Sequence, residues 1–326
     1  MNNPSSISTK QNELDNLGLL AAADEFYAKA KRSMGWQFGL TFGTGLIFSP
    51  VIVWEPSWLA LPSLYFLIVT IADTIWLDSK QTAFKVMAAK AQERFACNVF
   101  DLPWNRLLVG DPVGPGDLNQ AEARYKKREL QGANAGDPFA KKRGWYTPPP
   151  LPLPFARIIC QMTDIYWNQC DRQRFAGWVG GLLLLLMLIT IVLCAVFRTP
   201  GNWIVIEVIV PVLPGANWLW REYKRHREAE TRLNELAKEL EHLWQFSLAD
   251  KKGAGSLAQL SREIQNVLFT LRHTQPTLPD WFYAKHRTGR QEELNALTDE
   301  HAKEVMASTA FAHYVKSGGN NAASAT

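Results

Sequence analysis

The chain has almost no surplus of either charge: 35 Lys and Arg against 31 Asp and Glu leave a net +4 over 326 residues. That balance lacks the global basicity of a dedicated nucleic-acid binder, so no nucleic acid polymer is expected as a partner. Cysteine is scarce. Cys97, Cys160, Cys170 and Cys194 share no CxxC spacing, and Cys194 lies inside an apolar run, which excludes a secreted disulfide scaffold and argues against a zinc ribbon. The six histidines, 226, 242, 273, 286, 301 and 313, include no HExxH, no close pair and no accompanying cysteine ligand, so metal catalysis finds no support and neither metal nor cofactor is expected. GTGLIFSP is not a GxSxG elbow, and GDPVGPGD lacks the GK[ST] and the preceding strand of a phosphate loop. No enzyme chemistry is read from the chain. The opening MNNPSSISTK has no apolar core or cleavage site, so it is not a signal peptide. Alternating strand patterns are missing too, which predicts an all-α protein.

What the chain has instead is clumped apolar sequence. Four segments approach the ~20 residues that cross a ~30 Å hydrocarbon layer: Gly35 to Trp54, Trp58 to Leu77, Trp178 to Phe197 and Trp203 to Trp220. The third is uncharged and leucine-rich. The second holds Asp73, and the fourth is diluted by Glu207, Pro211, Pro214 and Asn217; without it three spans would remain. Short links within each pair predict two transmembrane hairpins. Tryptophans at 36, 54, 58, 76, 178, 203, 218 and 220 fall near the segment ends, where an indole favours the boundary between water and lipid. Lys29, Lys31 and Arg32 precede the first segment, Lys80 and Lys85 follow the second, Arg172 and Arg174 precede the third, and Arg221, Lys224, Arg225 and Arg227 follow the fourth. The positive-inside rule then puts both termini and the middle section in the cytoplasm.

The expected organisation is an amphipathic N-terminal helix over residues 1–34, a hairpin over 35–77, a cytoplasmic middle section over 78–177, a hairpin over 178–220, a C-terminal helical region over 221–316 and a disordered tail over 317–326. The second span should continue as a helix through DSKQTAFKVMAAKAQERFACNVF, which has no glycine or proline before Pro103. Residues 102 to 154 read as loop with short helices and a proline tract, PPPLPLP, that serves as a rigid linker or a docking peptide. A helix from Phe155 leads into the third span. Ala229, Leu233, Leu236, Leu240 and Leu243 recur at helical spacing, a second apolar face runs from Leu257 to Leu271, and a last helix begins near Gln291.

The opening QNELDNLGLLAAADEFYAKAK, then ERFACNVFDLPWN, ARIICQMTDIYWNQCDRQRFAG and REIQNVLFTLRHTQPTLPDWFY, in this order around this membrane plan, resemble the four-transmembrane effectors, candidate pore formers, associated with bacterial second-messenger nucleotide synthetases. The resemblance covers nearly the whole chain. It implies an inner-membrane effector of antiphage or inter-bacterial conflict, triggered by a nucleotide signal to breach the lipid bilayer. The rival of another class is a membrane-anchored sensor or scaffold that recruits a separate toxin and does not conduct.

Gly35, Gly39 and Gly43 form two successive GxxxG steps, with Gly45 beside them; such a face lets helix backbones approach closely, either between subunits of a homo-oligomer or against the second or third span. Asp73 and Glu207 are candidates to line a pore, or are solvated near span ends. Pro211 and Pro214 should kink the fourth span, as a gate or as a bend only. A cyclic oligonucleotide would need cations and stacking rings, and Arg124, Tyr125, Lys126, Lys127 and Arg128 with Lys141, Lys142, Arg143, Trp145 and Tyr146 supply that composition. Between Asp78 and Gly177 lie 15 basic and 10 acidic side chains, equally consistent with a solvated run or attraction to anionic headgroups.

Overall fold

The structure, a computed structural model, describes residues 6–54, 60–132, 136–196, 210–249, 254–282 and 290–317. Among these residues there is no strand, and the order is α1 (Ser6–Lys10), α2 (Leu14–Trp54), α3 (Ala60–Ala72), a π-helical turn (Asp73–Leu77), α4 (Asp78–Phe100), α5 (Arg106–Val109), α6 (Pro115–Leu130), α7 (Leu153–Val196), α8 (Val210–Ala249), α9 (Ala254–Thr274), α10 (Arg290–Ala307) and α11 (Thr309–Lys316). The all-helical expectation holds.

Local chemistry sets several of the boundaries. Asp101 takes the left-handed conformation (φ 54°) after α4, Leu102 N donates to Cys97 O at 3.0 Å, and Pro103 prevents continuation. Pro115 opens α6, where its missing N–H costs nothing. Ser308 caps α11 by accepting from Phe311 N at 3.2 Å. Residues 102–154 hold more helix than expected, because α6 runs for 16 residues. Its inner stripe is Leu118, Ala121, Tyr125 and Glu129, too polar for an apolar period to stand out.

The expected amphipathic helix and first span are one helix of 41 residues, and α7 joins the pre-span helix to the third span in 44. At 1.5 Å per residue each rises about 60–66 Å, twice the ~30 Å thickness of a hydrocarbon layer, so each is long enough to pack one half into a body and project the other half beyond it. Burial divides them accordingly. Leu17, Ala21, Phe26 and Ala30 of α2 and Phe155, Ile158, Ile159 and Ile165 of α7 are buried, whereas Trp36 and Phe38, and Leu184, Leu185, Leu188 and Ile191, are exposed. Among the described residues one helix, Leu153–Val196, is long and apolar enough to cross a membrane, with 6% of its apolar window buried. The expected second span is a 13-residue apolar helix ended by the π-helical turn. The fourth is described only from Val210, and α8 continues through Pro214 as a helix. The expected disordered tail lies outside the described residues apart from Ser317.

The body packs α4 and the inner halves of α2 and α7 against α8, α9, α10 and α11 around Phe26, Phe95, Phe100, Phe155, Ile158, Ile159 and Trp244. A polar network runs through it. Glu93 is fully buried, accepting from Arg262 Nη2 at 2.6 Å and from Gln265 Nε2 at 2.8 Å. Gln161 Nε2 donates to Gln265 Oε1 and to Ser261 O, both at 3.0 Å, and Ser261 Oγ donates back to Gln161 Oε1 at 2.8 Å. Nearby, Asn98 bonds Asn16, Asn105 bonds Asn266, and Arg272 pairs with Asp164 at 2.5 Å.

A second polar group lies where the exposed apolar halves leave the body. Lys85 of α4, Arg172 of α7, and Glu222 and His226 of α8 are all buried. Lys85 donates to Gln275 O at 3.4 Å and Arg172 to Pro276 O at 3.0 Å. Burial pushes Arg172 down to about 10 and pushes Glu222 up, against the pull of Arg225 and Arg221. Burial, with Arg172 and Arg225 beside it, holds His226 well below the usual imidazole value. The ring packs edge-on to Phe175 at 4.6 Å. Its 3.9 Å approach to Glu222 is therefore not a salt bridge, because the imidazole is neutral.

Two outcomes are expected. Glu93→Ala strands the buried Gln265 amide and takes the carboxylate from the partly buried Arg262, and should lower stability by about 3–5 kcal/mol, read as a fall in the unfolding midpoint of the purified protein. Below about pH 6.5 the unfolded chain takes up a proton that buried His226 refuses, so stability should drop by up to ~1.4 kcal/mol per pH unit. Glu222 acts in the opposite sense just above its unfolded value of ~4.3, where the folded chain keeps the proton longer. Thermal midpoints between pH 7.5 and 5 should therefore fall less for His226→Leu than for the native chain; parallel curves would refute the neutral histidine.

Candidate functional site

Two of the ten residues expected to form a ligand patch, Arg128 and Lys142, are held by two acids of α2, and three more pair with acids of α6 and of the segment after it. Arg128 Nη1 meets Glu25 at 2.7 Å and its Nη2 meets Asp24 at 3.0 Å; Lys142 Nζ meets Asp24 at 2.8 Å. Lys141 pairs with Glu129 at 2.8 Å, Lys126 with Glu122 at 2.6 Å and Arg143 with Asp137 at 2.8 Å. Burial alone would raise the Asp24 carboxyl, but Lys142, Arg128 and Lys31 together hold it below the ordinary value. The rings are mostly committed. Tyr125 is buried beneath Arg128 and Lys142, which stand 5.2 and 5.4 Å from its centroid. Tyr146 packs 4.8 Å from Phe100 and 5.9 Å from Phe95, and its backbone exchanges two hydrogen bonds with the Gln11 amide. Burial raises both phenols. Trp145 is 37% exposed, with Lys142 5.7 Å from its ring. Lys127 and Arg124 face solvent. This arrangement clasps α6 and residues 137–146 onto α2.

Next to the clasp is a cleft of about 810 Å³ lined by Glu25, Ala28, Lys31, Arg32, Gly35, Trp36, Arg124, Arg128 and Asp280. Four cations face two carboxylates there. Arg32 Nη2 holds Glu25 at 3.0 Å, Lys31 pairs with Asp280, and Arg124 makes no ion pair among the described residues. The cleft sits where α2 changes from buried at Ala30 to exposed at Trp36. Lys31, Arg32 and Trp36 are legible in the sequence only as markers of a membrane boundary; α6, a hundred residues later, supplies the other wall. Among the described residues no group of three His, Cys, Asp or Glu side chains could hold a metal ion.

The glycines separate into two sets. A Cβ on Gly215 would lie 2.8 Å from the Phe42 ring, and one on Gly180 would lie 3.2 Å from Tyr223, so these two serve packing between α2, α7 and α8. Around Gly35, Gly39, Gly177 and Gly181 a Cβ would meet nothing within 4 Å among the described residues beyond its own helical turns. Gly43 and Gly45 continue along α2. Asp73 is the first residue of the π-helical turn, and Pro211 and Pro214 lie at the start of α8. Glu207 lies outside the described residues.

Three comparisons bear on what this arrangement belongs to. No solved structure matches the chain. A protein of Bacillus cereus (strain VD146) described as "Probable CBASS effector molecule" is 22% identical over 289 residues, covering 84% of this chain and 90% of that protein. The family described as the SMODS-associating 4TM effector domain matches residues 5–301. The matched region takes in the buried network, the clasp, the cleft and every apolar helix, and the chain belongs to that family.

Proposed function

We propose that the protein is a multi-pass effector of the bacterial inner membrane that answers a nucleotide signal by oligomerising and permeabilising the bilayer. Its family and the name of its Bacillus relative support a role in a cyclic-nucleotide antiphage system. One observation carries the membrane part: the outer half of α7 exposes Leu184, Leu185, Met187, Leu188, Ile189, Ile191 and Val192 together. An apolar surface of that extent needs lipid or protein around it. Leu64, Leu67, Ile68 and Ile71 of α3 and Trp36 and Phe38 of α2 are exposed in the same way, which supports further spans beside α7; two hairpins of four spans with both termini in the cytoplasm complete the reading.

In this reading the open Gly35 and Gly39 face, extended by Gly43 and Gly45, packs against another subunit, because among the described residues nothing outside the helix's own turns lies within 4 Å of a Cβ built at Gly35 or Gly39. Asp73, Glu207, Pro211 and Pro214 belong to the spans that rearrange on opening. The signal is an anionic nucleotide that binds the cytoplasmic body better in the open arrangement, since only differential affinity shifts a closed population.

The test is dye and ion release from liposomes holding the full chain, with and without cyclic di- and trinucleotides. Release gated by one nucleotide is expected. Folded, inserted protein that never leaks would leave the scaffold that recruits another toxin. Gly39→Leu should abolish cross-linking between subunits and nucleotide-gated release while leaving the thermal midpoint unchanged, because the added side chain meets open space. Intact cross-linking would remove that face from the assembly.

A further inference from the structure

We propose that the cleft between α2 and α6 is a binding site for a phosphodiester anion held by Lys31, Arg32 and Arg124, and that its occupant displaces Asp280 from Lys31. The anion chemistry stands on the cleft itself; a nucleotide as its source rests on the function proposed above. A volume of about 810 Å³ falls within the ~300–1,000 Å³ of ordinary small-molecule sites. Four cations against two carboxylates leave the lining positive, and low-dielectric walls concentrate such a field on the cleft.

The donors are disposed for a phosphate. Glu25 is nearly buried and holds Arg32 through Nη2 and Arg128 through Nη1. It thus tethers both guanidinium groups before any ligand arrives, and both line the cleft with N–H groups that Glu25 does not use. Arg124, without an ion pair among the described residues, brings a whole planar fork that matches two phosphate oxygens. Trp36, 67% exposed, offers a face on which a base could stack at the rim. Glu25 is therefore a positioning residue. Asp280 differs from it: its side chain is 79% exposed, its described ion pair is with Lys31, and a carboxylate in that place stands in for the anion.

Displacing Asp280 reaches the membrane through its neighbours in the chain. Trp281 packs edge-on to Trp178 at 5.1 Å and Phe282 to Phe175 at 5.0 Å, while Thr277 Oγ1 contacts Met34 Sδ at 3.6 Å. Residues 276–282 thus strap α2 to the foot of the exposed half of α7. With Lys31 turned to a bound phosphate, the strap loses its ion pair to α2 and keeps the Arg172 hydrogen bond to Pro276 O and the ring contacts around Phe175.

The experiment is calorimetric titration of the full chain in phosphatidylcholine nanodiscs with two probes, a set of cyclic di- and trinucleotides and short-chain phosphatidylglycerol. Arg124→Glu should weaken binding at least tenfold with an unchanged thermal midpoint, and Asp280→Asn, which removes the competing carboxylate, should tighten it severalfold. These opposite signs for a nucleotide identify the free messenger as the source; the same signs for phosphatidylglycerol alone identify a lipid headgroup. No binding of either probe, or affinities that both variants leave unchanged, overturns the site. Nucleotide-gated liposome leakage that both variants leave untouched would also reject the site while sparing the effector reading. Variant-sensitive binding in protein that never leaks would do the reverse.

Discussion

A carboxylate fully withdrawn from water is the constraint on which the body depends. Glu93 is buried among apolar side chains of α4, where Arg262 and Gln265 of α9 close on it while Gln161 of α7 orients Gln265. Such a pair adds little net stability over an apolar substitute, yet it fixes which helix faces meet. The hydrophobic contacts of Phe95, Ile158 and Leu268 would tolerate small shifts in register; the fork of Arg262 would not. The long helices α4, α7 and α9 are thus locked at one level, and the apolar halves beyond them start from a defined position.

Much of this was legible in the sequence, for a reason the network makes clear. The four motifs that carry the family resemblance are the parts that touch one another: Glu93 and Asn98 from the second, Gln161 and Asp164 from the third, Arg262, Gln265, Asn266 and Arg272 from the fourth, and Asn16 from the first. The long helices were equally plain, because α4 has neither glycine nor proline before Pro103 and the outer half of α7 is leucine-rich. Two features were not. The π-helical turn at Asp73–Leu77 leaves no mark in an apolar run, and α6 buries alanine and glutamate where an apolar period would be sought.

The candidate site was legible by composition and illegible by arrangement. Counting charges between Asp78 and Gly177 gives a basic section, but Asp24 and Glu25, more than a hundred residues earlier in the chain, decide which of those cations remain available. Lys31 and Arg32 carried a meaning of their own as a positive flank, and that meaning hid their second neighbour, Arg124. Spacing along a chain reports helix faces well and reports the meeting of two distant helices poorly.

The continuity of α7 has a mechanical consequence. From Leu153 to Val196 its backbone hydrogen bonds run without interruption, so the helix transmits torque as a stiff rod. Gln161 and Asp164 pin the lower half of that rod to α9, so the rotational setting they fix, about 100° per residue at 3.6 residues per turn, is carried unchanged to Leu188. The body therefore decides which stripe of side chains the far end of α7 presents, and no turn of that end is open while the pairs at Gln161 and Asp164 hold.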